Sequence, residues 1–373
     1  MPESLYIHVP FCRVKCAYCD FYSVAVQSGL AARYITALRK EIQRRAPGRL
    51  STVFIGGGTP SVLPPGSIST ILACLSEHAH IIEGAEVNVE ANPESLTLEF
   101  IDEVKGCGVN RLSVGVQSFE DGLLRMLGRP HTSAEALGAL ELLKESGLDF
   151  SLDLMYSIPG QTPGAWERTL KTAIGLGPCH ISAYELTIEH GTALDTLLSD
   201  GRISTPDEGK ALAMYDRAKN LLTGAGYEHY EVSNYALPTK RSRHNMNYWM
   251  RGEYLGLGPG GVSFVEGKRT RNLPDVSGYC EAIERGEAPP HEDEVLGRAE
   301  ASREFLMLGL RTSDGVEVAE ASARYGLESL TGAASRFVEN GMMALDEGRL
   351  CMSEKGMLLM NSVLVELFES LGI

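Results

Sequence analysis

Six short runs of β-branched and apolar residues recur along the first half of the chain: Leu5 to Val9, Thr52 to Ile55, Glu86 to Val89, Arg111 to Val116, Phe150 to Met155 and Ile181 to Leu186. Between them lie stretches with helical spacing, such as Tyr34, Leu38 and Ile42, or Ile68, Leu72 and Leu75, or Leu137, Leu140 and Leu143. Strands repeating every roughly 25 to 50 residues around amphipathic helices fit βαβ units and a parallel sheet, closed or partly closed as a barrel. The two further units of an eight-fold barrel are not found before residue 240. The expected fold is therefore α/β, a partial (β/α)6 barrel.

At 373 residues the chain exceeds what one core of about 250 to 300 residues sustains, so a second, smaller unit is expected. From about 227 to 290 the pattern is irregular and rich in glycine; helical periodicity returns from Glu294 to Leu310. Short helices follow near Val316 to Tyr325 and Leu330 to Asn340, then a hairpin turning at Asp346-Glu347-Gly348-Arg349, then a last helix to Leu371. Helix, helix and β-wing give a small helical, winged-helix-like C-terminal domain. The expected division is 1–235 for the barrel, 236–290 for a connecting region and 291–373 for that domain.

Charge narrows the partners. Lys and Arg number 34 against 49 Asp and Glu, a net charge of −15, which repels nucleic-acid phosphates unless a local basic patch reverses the field. Residues 292–373 carry 7 Lys or Arg against 15 Asp or Glu, so the winged-helix-like unit lacks the footprint of a nucleic-acid reader and is expected to pack or contact protein. The N-terminal residues Met1-Pro2-Glu3-Ser4-Leu5-Tyr6 form no leader, and no apolar run approaches 18 residues, which leads to a cytoplasmic expectation.

Cys12, Cys16 and Cys19 form C-x3-C-x2-C on the loop leaving the first strand, whereas the other five cysteines are scattered. Three thiolates so close can hold three corners of a cubane iron-sulfur cluster and leave the fourth iron open. An open iron suits the amino and carboxylate groups of S-adenosylmethionine, whose sulfonium one electron can cleave to a carbon radical. The rival is a structural Cys3His zinc site completed by His8. Phe11, Tyr18 and Phe21 would shield a redox centre or simply pack. Gly56-Gly57-Gly58-Thr59-Pro60 follows the second strand, where backbone groups of a glycine turn can approach and hold a small charged group, or merely make a tight turn.

The cysteine triplet with an aromatic before its last Cys, followed by Gly-Gly-Gly-Thr-Pro, resembles a radical S-adenosylmethionine protein. More narrowly, Tyr6-Ile7-His8-Val9-Pro10-Phe11-Cys12, Val89-Glu90-Ala91-Asn92-Pro93, Gly115-Val116-Gln117-Ser118-Phe119, Gly128-Arg129-Pro130-His131 and Asp153-Leu154-Met155-Tyr156-Ser157-Ile158-Pro159-Gly160 resemble the family of oxygen-independent coproporphyrinogen III oxidase and its haem-chaperone branch, HemW, from about residue 4 onward. The resemblance implies a 4Fe-4S cluster on Cys12, Cys16 and Cys19. It implies S-adenosylmethionine held by Tyr6, Tyr18, Gly57, Gly58, Thr59, Glu90, Gln117, Arg129 and Asp153. Glu90, Gln117, Asp153 and Glu185 each lie at or near the C-terminal end of an expected strand, and that end of a barrel is where sites are built. Carboxylates there can accept from ribose hydroxyls, and Arg129 can pair with the methionine carboxylate.

Two features divide the family. The oxidase pattern has a further cysteine two residues after the third, where this chain has Phe21. Arg243-His244-Asn245-Met246-Asn247-Tyr248-Trp249 fits the H-N-x-x-Y-W pattern of the chaperone branch. His244 offers an imidazole for haem iron, Tyr248 and Trp249 offer faces for the macrocycle, and Lys240, Arg241 and Arg243 could pair with propionates. The expected function is to bind haem and pass it to acceptor proteins, membrane respiratory enzymes among them, with an electron donor serving the cluster. The alternative is an oxidoreductase of the coproporphyrinogen dehydrogenase type; catalytic residues are not identified. Gly256-Leu257-Gly258-Pro259-Gly260-Gly261 formally fits G-x-G-x-x-G, but Pro259 lies inside it and it reads as a barrel-closing loop rather than a dinucleotide site.

Replacing Cys16 by Ser should remove most cluster absorption after anaerobic reconstitution, whereas replacing Cys280 or Cys351 should leave iron and sulfide content unchanged. Full iron and sulfide in the Cys16 variant would refute the triplet as the cluster site.

Overall fold

The structure, a computed structural model, describes residues 2–205 and 207–373. Six parallel strands appear in sequence order: β1 (Ser4–Val9), β2 (Arg49–Gly57), β3 (His80–Ala91), β4 (Arg111–Gln117), β5 (Asp149–Tyr156) and β6 (His180–Glu185). Each contains its expected run or all but its last residue. Helices α1 (Ser28–Arg45), α2 (Ser67–His78), α3 (Leu98–Gly106), α4 (Ser133–Ser146), α5 (Pro163–Leu176) and α6 (Glu208–Gly224) follow the strands in turn. Their ends are chemically marked. Thr132 and Glu135 form a capping box at α4, which stops at left-handed Gly147, and Thr162 caps α5 just before Pro163.

The two faces of the sheet carry different chemistry. Val87, Val89, Leu112, Val114, Leu152, Leu154 and Ile181 alternate onto the outer face and join the buried core with the helices. Asn88 and Glu90, Arg111 and Ser113, Ser151 and Asp153, His180 and Ser182 occupy the opposite face and line one internal cavity. A cavity lined from four neighbouring strands at i, i+2 positions is the lumen of an incompletely closed barrel.

Short strands lengthen the sheet instead of closing it. On one side β7 (Asn234–Ala236) pairs antiparallel with β6; on the other β8 (Leu255–Leu257) pairs parallel with β1. The barrel-closing role expected of the Gly256 to Gly261 segment is therefore corrected: Gly256 lies in an edge strand, and a hairpin, β9 (Val262–Val265) and β10 (Lys268–Asn272), follows. A buried carboxylate fixes this edge. Glu41 of α1 accepts from Arg45 Nη1 at 2.7 Å, the Gly258 amide at 2.9 Å, Asn272 Nδ2 at 3.3 Å and Tyr279 Oη at 2.7 Å, the last on α8 (Val276–Glu284).

The lumen is plugged by α7 (Arg243–Trp249), the helix bearing H-N-x-x-Y-W. Glu86 of β3, buried, accepts from the amides of Arg243 at 3.1 Å and His244 at 3.0 Å, meeting the positive end of the helix with a carboxylate. Beyond α9 (Arg298–Gly309) a second core forms around Leu306, Leu330, Leu350 and Leu367, with helices Val318–Tyr325, Leu330–Glu339 and Met360–Leu371 and a three-stranded sheet whose hairpin turns at Glu347-Gly348. Val316 and Glu317, expected in a helix, form a strand against Leu350 and Arg349. Among the described residues no helix is long and apolar enough to cross a membrane.

Glu41→Ala should lower unfolding stability by about 3 kcal/mol, because it strands several buried donors at once. Chemical denaturation that leaves the midpoint unchanged would show that the carboxylate does not fix this edge.

Candidate functional site

Parallel strands bring their C-terminal ends to one edge, and the residues expected there meet in a single cleft. Cys12, Cys16, Tyr18 and Cys19 face it from the loop after β1, Gly57, Gly58 and Thr59 from the end of β2, and Glu90, Gln117, Arg129 and Asp153 from the strands and loops beyond. The cysteine loop is closed at its base by a parallel bridge of Phe11 and Cys12 with Val24 and Ala25, and tightened by the Cys19 amide donating to Cys16 O at 3.2 Å.

The sulfurs are met by donors. Arg129 Nη1 donates to Cys16 Sγ at 3.3 Å and Thr59 Oγ1 to Cys12 Sγ at 3.6 Å, contacts that orient the two side chains. A cluster takes one thiolate per iron, so its ligands need not converge on a point. Among the described residues no three His, Cys, Asp or Glu are grouped to hold a single metal ion. His8 spends both ring nitrogens elsewhere, on Tyr6 Oη at 2.9 Å and Tyr22 O at 3.1 Å, so the zinc alternative lacks its fourth ligand. The donor set fits the cluster.

The glycine turn works differently from expectation. The Gly58 amide donates to Val9 O and the Thr59 amide to Phe11 O, both at 2.7 Å, and the Gly57 amide to Glu90 Oε2 at 2.9 Å. Those N–H groups are spent inside the protein, which leaves the carbonyls and side chains of the turn as the groups that line the cleft. The glycines are required by space instead: a Cβ on Gly56 would stand 2.6 Å from Glu90 Oε2, one on Gly58 2.5 Å from Phe11 O, and Gly57 has φ of +104°. The turn also fixes Glu90 at the edge of the cleft.

Two carboxyls and two unpaired polar atoms define what the cleft can hold. Burial, with Asp153 nearby, pushes Glu90 up to about 7; burial also raises Asp153, despite Ser113 Oγ at 3.3 Å. Arg129 Nε and Gln117 Oε1 are buried without hydrogen-bond partners, and Gln117 takes a left-handed φ of 66°. A ligand carrying hydroxyl donors, a positive centre and a carboxylate complements this set, as S-adenosylmethionine does. Asn92, which the sequence pattern quoted but gave no role, accepts from Arg129 Nη2 at 2.8 Å and donates to Thr59 Oγ1 at 3.2 Å, tying both sulfur donors together. Its position two residues past Glu90 was the available signal.

Three expectations shift. Tyr6 lines not this cleft but an adjoining cavity of ≈ 650 Å³, which shares Phe21, Gly57 and Glu90 with it. Glu185 is exposed and accepts from Ser157 Oγ at 3.4 Å, outside the cleft. His244 is buried in the plug: its Nδ1 meets Thr52 Oγ1 and its Nε2 Tyr248 Oη, each at 2.8 Å, its ring stacks on Phe54, and burial pushes its pKa down to about 3. With both nitrogens occupied, His244 positions Tyr248 and offers iron no free lone pair. The basic run is also committed: Lys240 to Asp149, Arg241 to Glu228 and Asp314, and Arg243 to the carbonyls of Gly84 and Ser51. Tyr248 and Trp249 do face a cavity, of ≈ 480 Å³, between the barrel and the C-terminal unit.

Comparison with known proteins agrees with this geometry. Residues 6–173 match the radical SAM superfamily and residues 296–359 the HemN C-terminal domain. The chain is 35% identical over 369 residues to a protein named Heme chaperone HemW from Lactococcus lactis, covering 97% of this chain and 96% of that one. It is 37% identical over 331 residues to one of the same name from Synechocystis, covering 86% and 80%. The solved structure of coproporphyrinogen III oxidase (HemN) from Escherichia coli, described as a radical SAM enzyme, matches with a TM-score of 0.83 at 25% identity, covering 98% of this chain and 90% of that one.

Hydroxyl donors and a positive centre favour the ionised form of Glu90, so binding should expel its proton. Affinity for S-adenosylmethionine should then rise as pH passes through about 7, by about tenfold from pH 6 to 8, and level off above. Glu90→Gln should bind more weakly and flatten this dependence. Calorimetry on the reconstituted protein showing the same slope in both would refute the role of Glu90.

Proposed function

The chain belongs to the radical SAM superfamily and, within it, to the family of proteins named Heme chaperone HemW, and from that premise we propose that it binds a 4Fe-4S cluster, S-adenosylmethionine and haem, and hands haem to acceptor proteins. In this reading Cys12, Cys16 and Cys19 hold the cluster, which supplies single electrons to the neighbouring sulfonium. Glu90 and Asp153 accept from the nucleoside, and Arg129, already turned toward Cys16 and Asn92, pairs with the amino-acid carboxylate. Tyr18, whose phenol burial holds well above its ordinary range, is the apolar wall beside the sulfurs.

The observation that carries the haem half is the plug itself. Helix α7 turns Tyr248 and Trp249 toward open space between the two units, while Glu86, Thr52 and the barrel lumen hold its other end. Aromatic faces held rigidly against a cavity suit a flat macrocycle. Haem is then cargo, and release to an acceptor requires no bond to be made or broken in it.

One observation favours a second reading, oxidative decarboxylation of coproporphyrinogen III: the ≈ 650 Å³ cavity opens directly on Glu90, where a radical substrate would sit, in a fold shared with the oxidase. Against it stands Phe21, 64% exposed at the mouth of both spaces, where the oxidase pattern has its extra thiol. An anaerobic assay of the reconstituted protein offered coproporphyrinogen III and haem decides between them. A stable haem complex without vinyl product is expected; vinyl product without a haem complex would reverse the assignment.

A further inference from the structure

The cavity beside Trp249 has features beyond its aromatic wall. Tyr184 at the end of β6, Tyr248 and Trp249 of α7, Val232, and Leu308 of α9 enclose it, so both structural units contribute. Backbone pairing joins them at its rim, through the Val232 amide donating to Arg311 O at 3.1 Å and a bridge between Glu231 and Thr312. Polar groups inside it are left unpaired. Glu231, 1% exposed, has no partner for Oε1, and Asn234, 4% exposed, none for Oδ1. The Arg311 guanidinium also lines the space and makes no hydrogen bond or ion pair among the described residues.

A space walled by aromatic and aliphatic groups, with one free guanidinium at its rim, selects a flat apolar ligand that carries a carboxylate. We infer that this cavity, not the one beside Glu90, receives the macrocycle, and that Arg311 pairs with one of its propionates. The inference rests on the haem reading above and gives it a location and a charge partner. Glu231 is the one carboxyl facing the same space; burial pushes it up to about 7, so at neutral pH it spends part of its time protonated and able to donate to a second carboxylate. The cavity beside Glu90 contrasts in two ways. It is reached by Tyr248 but not by Trp249, and of its arginines Arg251 and Arg269 are tied to Glu304, leaving Arg271 without an ion pair among the described residues.

That contrast supplies the test. Haem is titrated by absorption into the reconstituted wild type, Arg311→Glu and Arg271→Glu, each checked for unchanged cluster absorption and far-ultraviolet circular dichroism. Among the described residues neither arginine makes a side-chain hydrogen bond or ion pair, and Arg311 acts on Glu231 only through its charge, so both variants should fold. Arg311→Glu should weaken haem binding about tenfold or more, and that loss should vanish for haem dimethyl ester, which has no free propionates. Arg271→Glu should bind as the wild type does. Loss in Arg271→Glu alone would move the macrocycle to the cavity beside Glu90, and equal binding by all three would remove Arg311 as a partner, with the chaperone reading intact in both cases. A wild type that binds no haem would instead end the chaperone reading.

Discussion

A parallel sheet that curls without closing has an inner face that must be covered, and here that face is polar. Asn88, Arg111, Ser151 and His180 point into the lumen where a closed barrel would interleave branched apolar side chains. The chain answers with a seven-residue helix pinned by Glu86, whose carboxylate meets two helix amides and lies 3.6 Å from Arg111. From that anchor follow the orientation of His244, the placement of Tyr248, and the shape of the cavities on either side of it. A residue of the third strand thereby governs space that sequence separation would assign to a distant loop.

The cleft at the strand ends depends on a second network, centred on Arg129. This guanidinium reaches Cys16 Sγ, Asn92 and the Gly115 carbonyl, and Asn92 passes the connection on to Thr59, which meets Cys12. Two of the three sulfurs are thus coupled through buried and part-buried hydrogen bonds to Asn92, just past β3, and to β4. The neighbouring carboxyls, Glu90 and Asp153, are both raised by burial, and Asp153 raises Glu90 further, an arrangement ready for a positive or hydrogen-donating ligand.

Much of this was legible in the sequence because its causes are local. Strand runs such as Phe150 to Met155 alternate toward two faces, and helix ends carry their own caps, as Thr132 does. The cysteine triplet lies within eight residues, and the strand-end rule gathered Glu90, Gln117 and Asp153 without any knowledge of distance. What failed depended on partners far along the chain. His244 looked like a free imidazole until Thr52, 192 residues away, took its Nδ1, and the basic run looked available until Asp149, Asp314 and the Gly84 carbonyl claimed it. The three-residue edge strand Leu255–Leu257 was hidden for another reason: a segment that short and rich in glycine has no periodicity to read. Arg311 had no signal of its own, since its interest lies in its guanidinium making no hydrogen bond or ion pair among the described residues.

The closeness of Gly56 to Glu90 bears on how this protein can vary. A side chain at 56 would enter the volume already filled by the Glu90 carboxylate and the ring of Phe54. Position 56 therefore has no independent freedom: its tolerance for substitution is set by a residue 34 places later, on the adjacent strand. A shorter acid at 90 would open room at 56 while withdrawing the acceptor from the cleft, so the two positions form a single heritable unit, in which a change at one site acquires its meaning only from the identity of the other.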